Sequence, residues 1–168
     1  EPDPKQVEAI IRFARGLPLA ATAVIHAWIK YPDQMGDFQA VKPLVIADVV
    51  DWLMKGIPKG LRPVLEAAAI VRWFDQPILR AVLSESEIKR AYRVIQSREP
   101  ERQQEDEFDL LYAVQAIYDE LRRFPFVRGR AERLALHDAV REIVDENLRV
   151  QDAERHSELH ERAAAYFE

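Results

Sequence analysis

Phe124-Pro125-Phe126-Val127-Arg128-Gly129-Arg130-Ala131-Glu132-Arg133-Leu134-Ala135-Leu136-His137-Asp138 is the stretch that decides the fold. Phe124 to Arg128 and Arg133 to Leu136 read as two short strands, joined by a turn through Gly129 into a hairpin. Asp138 is of the residue type that caps a following helix. Before the hairpin, a helix is predicted from about Glu105 to Leu121, with Phe108, Leu111, Val114, Ile117, Tyr118 and Leu121 on one face. After it, Val140, Ile143, Val144 and Leu148 continue at helical period. Helices, a small hairpin and then more helix give a mainly α class with the layout of a winged helix.

Farther out the signals are helical. Asp3-Pro4 offers an N-cap followed by a proline at N1, and Gly16 stops that helix. A second helix restarts at Leu17 or Pro18, with Leu17, Ala21, Val24, Ile25 and Trp28 on one side. Pro43 is read as the start of a third helix. Gly56-Ile57-Pro58-Lys59-Gly60 holds three breakers in five residues and divides the chain. Residues 1–57 are therefore expected to form a helical subdomain, and 58–150 the winged helix. Within the latter, a helix runs from about Arg62 to Arg72, and Asp75 starts a short helix ending near Leu83. Ser84 with Glu87 is a capping-box pair. Ser97 to Asp106 is polar and reads as a surface loop. Residues 151–168 form a last helix, capped by Asp152 and able to begin a helical-repeat region.

Composition bounds the rest. A chain of 168 residues with 48% hydrophobic and 32% charged side chains can bury a substantial core. No apolar run approaches the roughly 20 residues that span a bilayer. The absence of cysteine excludes disulfides and thiolate metal sites, which fits a cytoplasmic location. A net charge of −5 argues against bulk nucleic-acid binding. The start at Glu1 and the end inside a helix read as a segment of something longer.

Two short motifs carry the functional reading. Gly16-Leu17-Pro18-Leu19-Ala20 sits between two amphipathic helices, and Leu136-His137-Asp138 sits between strand and helix. In this order, around this layout, the chain resembles the C-terminal part of the nucleotide-binding module of STAND-class signal-transduction ATPases, the NB-ARC group in particular. The resemblance spans nearly the whole chain. It implies that Pro18, with Gly16 and Leu17, packs on the adenine of ADP, and that His137, beside Asp138, contacts the β-phosphate. Leu136 replaces the family's methionine. The implied partners are an upstream P-loop ATPase domain of the same chain, downstream helical repeats and further copies on activation. ADP or ATP would be held in that parent, and none in this segment alone. No Gly-x-x-x-x-Gly-Lys-Ser/Thr loop and no strand ending in an acidic pair occur, so no catalytic residue is assigned and the segment is not expected to be an enzyme by itself.

Other readings stand beside this one. Gly16-Leu17-Pro18 is by itself a helix–helix corner, and His137 by itself a structural histidine. Arg122, Arg123, Arg128, Arg130 and Arg133 form a basic cluster that a DNA-binding winged helix would use. The acids at 105, 106, 107, 109, 119 and 120 on the preceding helix argue against that use. A protein-docking role for the last helix is the third alternative. His156 and His160 have metal-binding spacing, but the sequence points to no third ligand, so no metal is assigned.

Overall fold

The computed structural model describes residues 3–33, 36–98 and 108–168. Most of these are helical. α1 (Pro4–Ala14), α2 (Pro18–Lys30) and α3 (Phe38–Lys55) pack on one another, and a 3-10 turn at Lys59–Leu61 leads into the remainder. There α4 (Arg62–Ile70), α5 (Gln76–Val82), α6 (Glu85–Gln96) and α7 (Leu110–Leu121) precede the strands β1 (Val127–Arg130) and β2 (Arg133–Leu136). Two helices follow, α8 (Asp138–Gln151) and α9 (Ala153–Phe167). The strands are antiparallel, and Phe74, between α4 and α5, bridges to Leu134 so that a third short segment joins the sheet edge. No described helix is long and apolar enough to cross a membrane.

Local chemistry explains most boundaries. The Asp3 carboxylate accepts from the Lys5 N–H, and Asp152 accepts from Arg155 N–H. Ser84 and Glu87 close the capping box reciprocally. One hydrophobic core runs through the described chain, with Phe74, Leu61, Leu65, Ile78 and Leu134 among its most enclosed side chains. The breaker cluster at 56–60 therefore separates helices without separating cores: α3 also packs on α8, across the predicted boundary.

Several expectations are corrected. α3 begins at Phe38, capped by Asp37, so Pro43 lies inside the helix on its exposed side, where only the bond to the Gln39 carbonyl is lost. α2 is rotated from its expected phase: Ala20, Ala23, Val24 and Ala27 are buried while Ile25 is 59% exposed. Small alanines let α2 approach α1 and α3 closely, and that close approach outweighs the larger transfer energy of one isoleucine. Leu111, expected on the core face of α7, is likewise exposed. The tryptophans at 28, 52 and 73 are half-buried and pack against the core. Gly129 pairs with Leu134 inside the ladder, and the turn falls at Ala131-Glu132 with Ala131 at φ 55°. α7 begins at Leu110 with Asp109 as its cap, and most of the predicted 97–106 loop lies outside the described residues.

Candidate functional site

The corner at Gly16 is built by two consecutive left-handed residues. Arg15 (φ 43°) donates its N–H to the Ile11 carbonyl, and Gly16 (φ 75°) turns the chain out of α1. A Cβ on Gly16 would meet nothing within 4 Å, so glycine is needed there for conformation and not for space. Leu17 is the N-cap residue of α2 and is half-buried; Pro18 follows at N1, exposed. Pro18, Thr22, Ile25 and Ile29 recur at four-, three- and four-residue steps, and all four are exposed. The proline thus heads a solvent-facing stripe running down α2, with Ile25 59% and Ile29 75% exposed.

His137 is held from three sides. Its N–H donates to the Phe126 carbonyl (2.8 Å), its carbonyl accepts from Arg141 N–H (2.9 Å), and its Nδ1 accepts from Ala139 N–H (3.3 Å). His137 and not Asp138 is therefore the N-cap of α8, which corrects the expected cap; Asp138 occupies N1, where its charge suits the helix dipole. Because Nδ1 accepts, neutral His137 carries its proton on Nε2. That N–H has no partner among the described residues. One turn on, the Nε of Arg141 is buried without a hydrogen-bond partner. The Arg141 Nε is enclosed, so the donor left at the helix N-terminus is the His137 Nε2–H.

The two motifs lie on neighbouring elements. Arg15, adjacent to Gly16, forms an ion pair with Glu142 on α8, and Lys42 of α3 pairs with Glu146 one turn later (2.9 Å). A groove of about 320 Å³ runs between α1, α3 and α8, with Arg15, Phe13, Phe38 and Ala139 among its walls. Ala139 is the residue whose amide His137 caps. The sequence reading missed Arg15, Arg141 and Glu142, because nothing local marks an arginine as reaching a helix more than a hundred residues away.

The arginine cluster is largely engaged internally. Arg123 pairs with the buried Glu120 (3.0 Å), which also takes Arg98 (3.2 Å). Arg122 lies over the Tyr118 ring, and Arg133 covers Trp73 at 3.7 Å from its centroid. Arg128 is exposed, and Arg130 lies in β1. With its start at Leu110, α7 keeps only Asp119 and Glu120 of the six acids counted against DNA binding, Asp109 being its cap. It carries no Lys or Arg either, so it still offers no cation to a phosphate backbone.

Two further polar constellations involve α9. Arg155 of α9 donates to Glu66 on α4 (2.8 Å), Glu87 on α6 (2.5 Å) and the Pro63 carbonyl (3.3 Å). Burial pushes the Glu66 carboxyl above its ordinary value, more than Arg155 lowers it. Burial also opposes the charge on Glu87, but the Ser84 N–H and hydroxyl, together with Arg155, outweigh it and hold that carboxyl below the ordinary value. On the other side of α9, His156 and His160 meet Asp145 of α8, a third potential ligand that the sequence reading lacked. No protein-family model matches the chain, and neither a characterised protein nor a solved structure does.

Proposed function

We propose that this chain is the regulatory segment of a nucleotide-operated switch of the STAND class, NB-ARC group. Residues 1–57 act as the helical subdomain, 58–150 as the winged helix, and 151–168 as the lead-in to whatever follows. ADP is gripped between an upstream P-loop ATPase domain of the same chain and two elements here: the Gly16-Leu17-Pro18 corner against the adenine, and His137 toward the β-phosphate. The α8 N-terminus adds a favourable dipole beside the histidine, and Asp138 sits at its first position. The observation that carries the reading is the hydrogen bond from the Ala139 N–H to His137 Nδ1. That nitrogen is committed to the cap of α8, leaving an unpartnered Nε2–H donor beside a helix N-terminus. The Arg15–Glu142 pair, which joins the residue before the corner to α8, supports a shared site. The exposed Pro18–Thr22–Ile25–Ile29 stripe supplies the apolar surface that an ATPase domain would cover.

The switch follows from differential contacts. ADP holds the histidine-bearing winged helix against the ATPase domain. Exchange for ATP removes that contact, and the released segment exposes surfaces for homo-oligomer formation. A ligand shifts such an equilibrium only through its unequal affinity for the two states. The segment contributes binding groups and no catalysis.

The test is the nucleotide content of the purified full-length parent, released by denaturation, beside its His137→Ala and His137→Asp variants. Stoichiometric ADP in the wild type and depletion in both variants is the expected result. Aspartate keeps the helix cap but cannot donate, so ADP retained by His137→Asp would sink the assigned role. An empty wild type would overturn the reading as a whole.

A further inference from the structure

We propose that Asp145, His156 and His160 form a site for a divalent transition metal of the zinc class, pinning α8 to α9 and leaving one coordination position open. His156 and His160 stand one turn apart on α9, and Asp145 faces them from α8 across the break at Asp152. Three atoms converge: His156 Nε2 lies 3.0 Å from Asp145 Oδ1 and 3.2 Å from His160 Nε2, and His160 Nε2 lies 3.7 Å from the same Oδ1. Zinc bonds of about 2.0–2.2 Å to nitrogen and oxygen at tetrahedral angles place ligand atoms about 3.3–3.6 Å apart. The observed triangle straddles that spacing, so a cation at its centre needs only small side-chain adjustments.

A hydrogen-bonded cluster serves the three atoms unevenly. If His156 Nε2 carries the proton and donates it to Asp145, it can accept nothing from His160, whose Nε2 can only share that same N–H. If His160 donates to an unprotonated His156 Nε2, that lone pair faces the carboxylate oxygen at 3.0 Å and repels it. One metal ion satisfies all three atoms together. The set of two imidazoles and one carboxylate matches three-ligand zinc sites, in which the fourth position takes water or an incoming group. The imidazole rings are tilted by 59° with centroids 4.5 Å apart, so they do not lie flat on each other. His156 is mostly enclosed and His160 half exposed, which leaves an entry path.

The experiment is titration of the metal-free 168-residue chain with Co²⁺, followed by visible absorption, and then competition with Zn²⁺. The expected result is one intense tetrahedral d–d band at a 1:1 ratio, displaced by Zn²⁺ and untouched by excess Mg²⁺. His160→Gln is the first variant, because its side chain is half exposed and the fold tolerates its loss. Removing a group that merely supports a ligand already costs 10–100-fold in affinity, so His160→Gln and Asp145→Asn should each weaken binding by at least about tenfold. Zn²⁺ should also raise the melting temperature of the wild type and leave that of Asp145→Asn unmoved. Absence of the tetrahedral band, or equal affinity in wild type and both variants, overturns the proposal; the latter would mean the ion sits elsewhere.

Discussion

Replacing Arg155 by methionine probes how α9 is held to the body of the fold. Its guanidinium spans Glu66 and Glu87 on two helices and reaches the Pro63 carbonyl as well. The three charged side chains are 23%, 26% and 12% exposed, between the surface and the buried extremes. Breaking a fully buried pair costs about 3–5 kcal/mol, and a surface pair contributes about 0–1. Glu87 keeps its bonds from the Ser84 N–H and hydroxyl, whereas Glu66 has no other partner among the described residues. The loss should therefore be about 2–3 kcal/mol, or roughly 5–10 °C in melting temperature for a chain this size. Urea denaturation followed by circular dichroism measures it. Adding Glu66→Gln to Arg155→Met removes the orphaned charge and should recover about 1 kcal/mol. The pH dependence separates the two carboxylates. Glu66, raised in the fold, contributes stability at low pH that is lost as pH rises through its folded value. Glu87, depressed in the fold, contributes stability at higher pH that is lost as pH falls through its folded value. Glu87→Gln should flatten the acid limb of the stability profile, and Glu66→Gln should remove a decline that begins at the ordinary carboxylate value and ends at the raised folded one. A loss below about 0.5 kcal/mol in Arg155→Met, typical of an inert surface site, would refute the clamp.

Gly60→Ala should destabilise by about 1–3 kcal/mol, since its Cβ would lie 2.7 Å from Val94 Cγ2 and 3.1 Å from the Arg90 carbonyl; Val94→Ala should relieve part of this in a melting experiment. Ala131→Gly should stabilise by roughly 0.5–1 kcal/mol by removing a left-handed alanine from the hairpin turn, visible as a higher denaturation midpoint. Ile29→Glu should leave the stability of the 168-residue chain within about 0.5 kcal/mol, because that side chain is 75% exposed. In the full-length parent the same change should reduce copurifying ADP, and unchanged ADP would remove the α2 stripe from the proposed interface.

The elements that were legible in the sequence are those whose cause is local. Asp3-Pro4, the Ser84–Glu87 box and Asp152 each fix a helix start through a side chain two or three residues away, and Gly16 completes the turn that the left-handed Arg15 begins at the end of α1. The misreadings have non-local causes. Pro43 marks no boundary because Asp37 caps the helix a turn and a half earlier and the ring falls on the solvent side. The inward face of α2 is decided by how closely α1 and α3 approach, which selects Ala20, Ala23 and Ala27 over Ile25. The hairpin turn falls at Ala131-Glu132 and not at Gly129, because burial of Leu134 and Leu136 on one face of β2 fixes a register in which Gly129 pairs with Leu134.

The same distinction governs the sites. Gly16, Leu17, Pro18, His137 and Asp138 could be named from their order along the chain, but what His137 can do depended on which residue caps α8. An aspartate cap would have left the imidazole tautomer undetermined. A histidine cap that accepts through Nδ1 fixes the proton on Nε2 and turns a generic histidine into a directed donor. Asp145 was invisible for a related reason. It is an ordinary acid in an acidic helix until the bend at Asp152 folds α9 back and brings His156 and His160 to it. Both inferences place chemistry on α8, at its N-cap and at its eighth residue. If metal binding stiffens the α8–α9 corner, it also braces the helix whose start His137 caps. Zn²⁺ should then slow hydrogen exchange of the Ala139 amide in the wild type but not in Asp145→Asn. Equal exchange in the two would mean that the metal corner and the histidine cap operate independently.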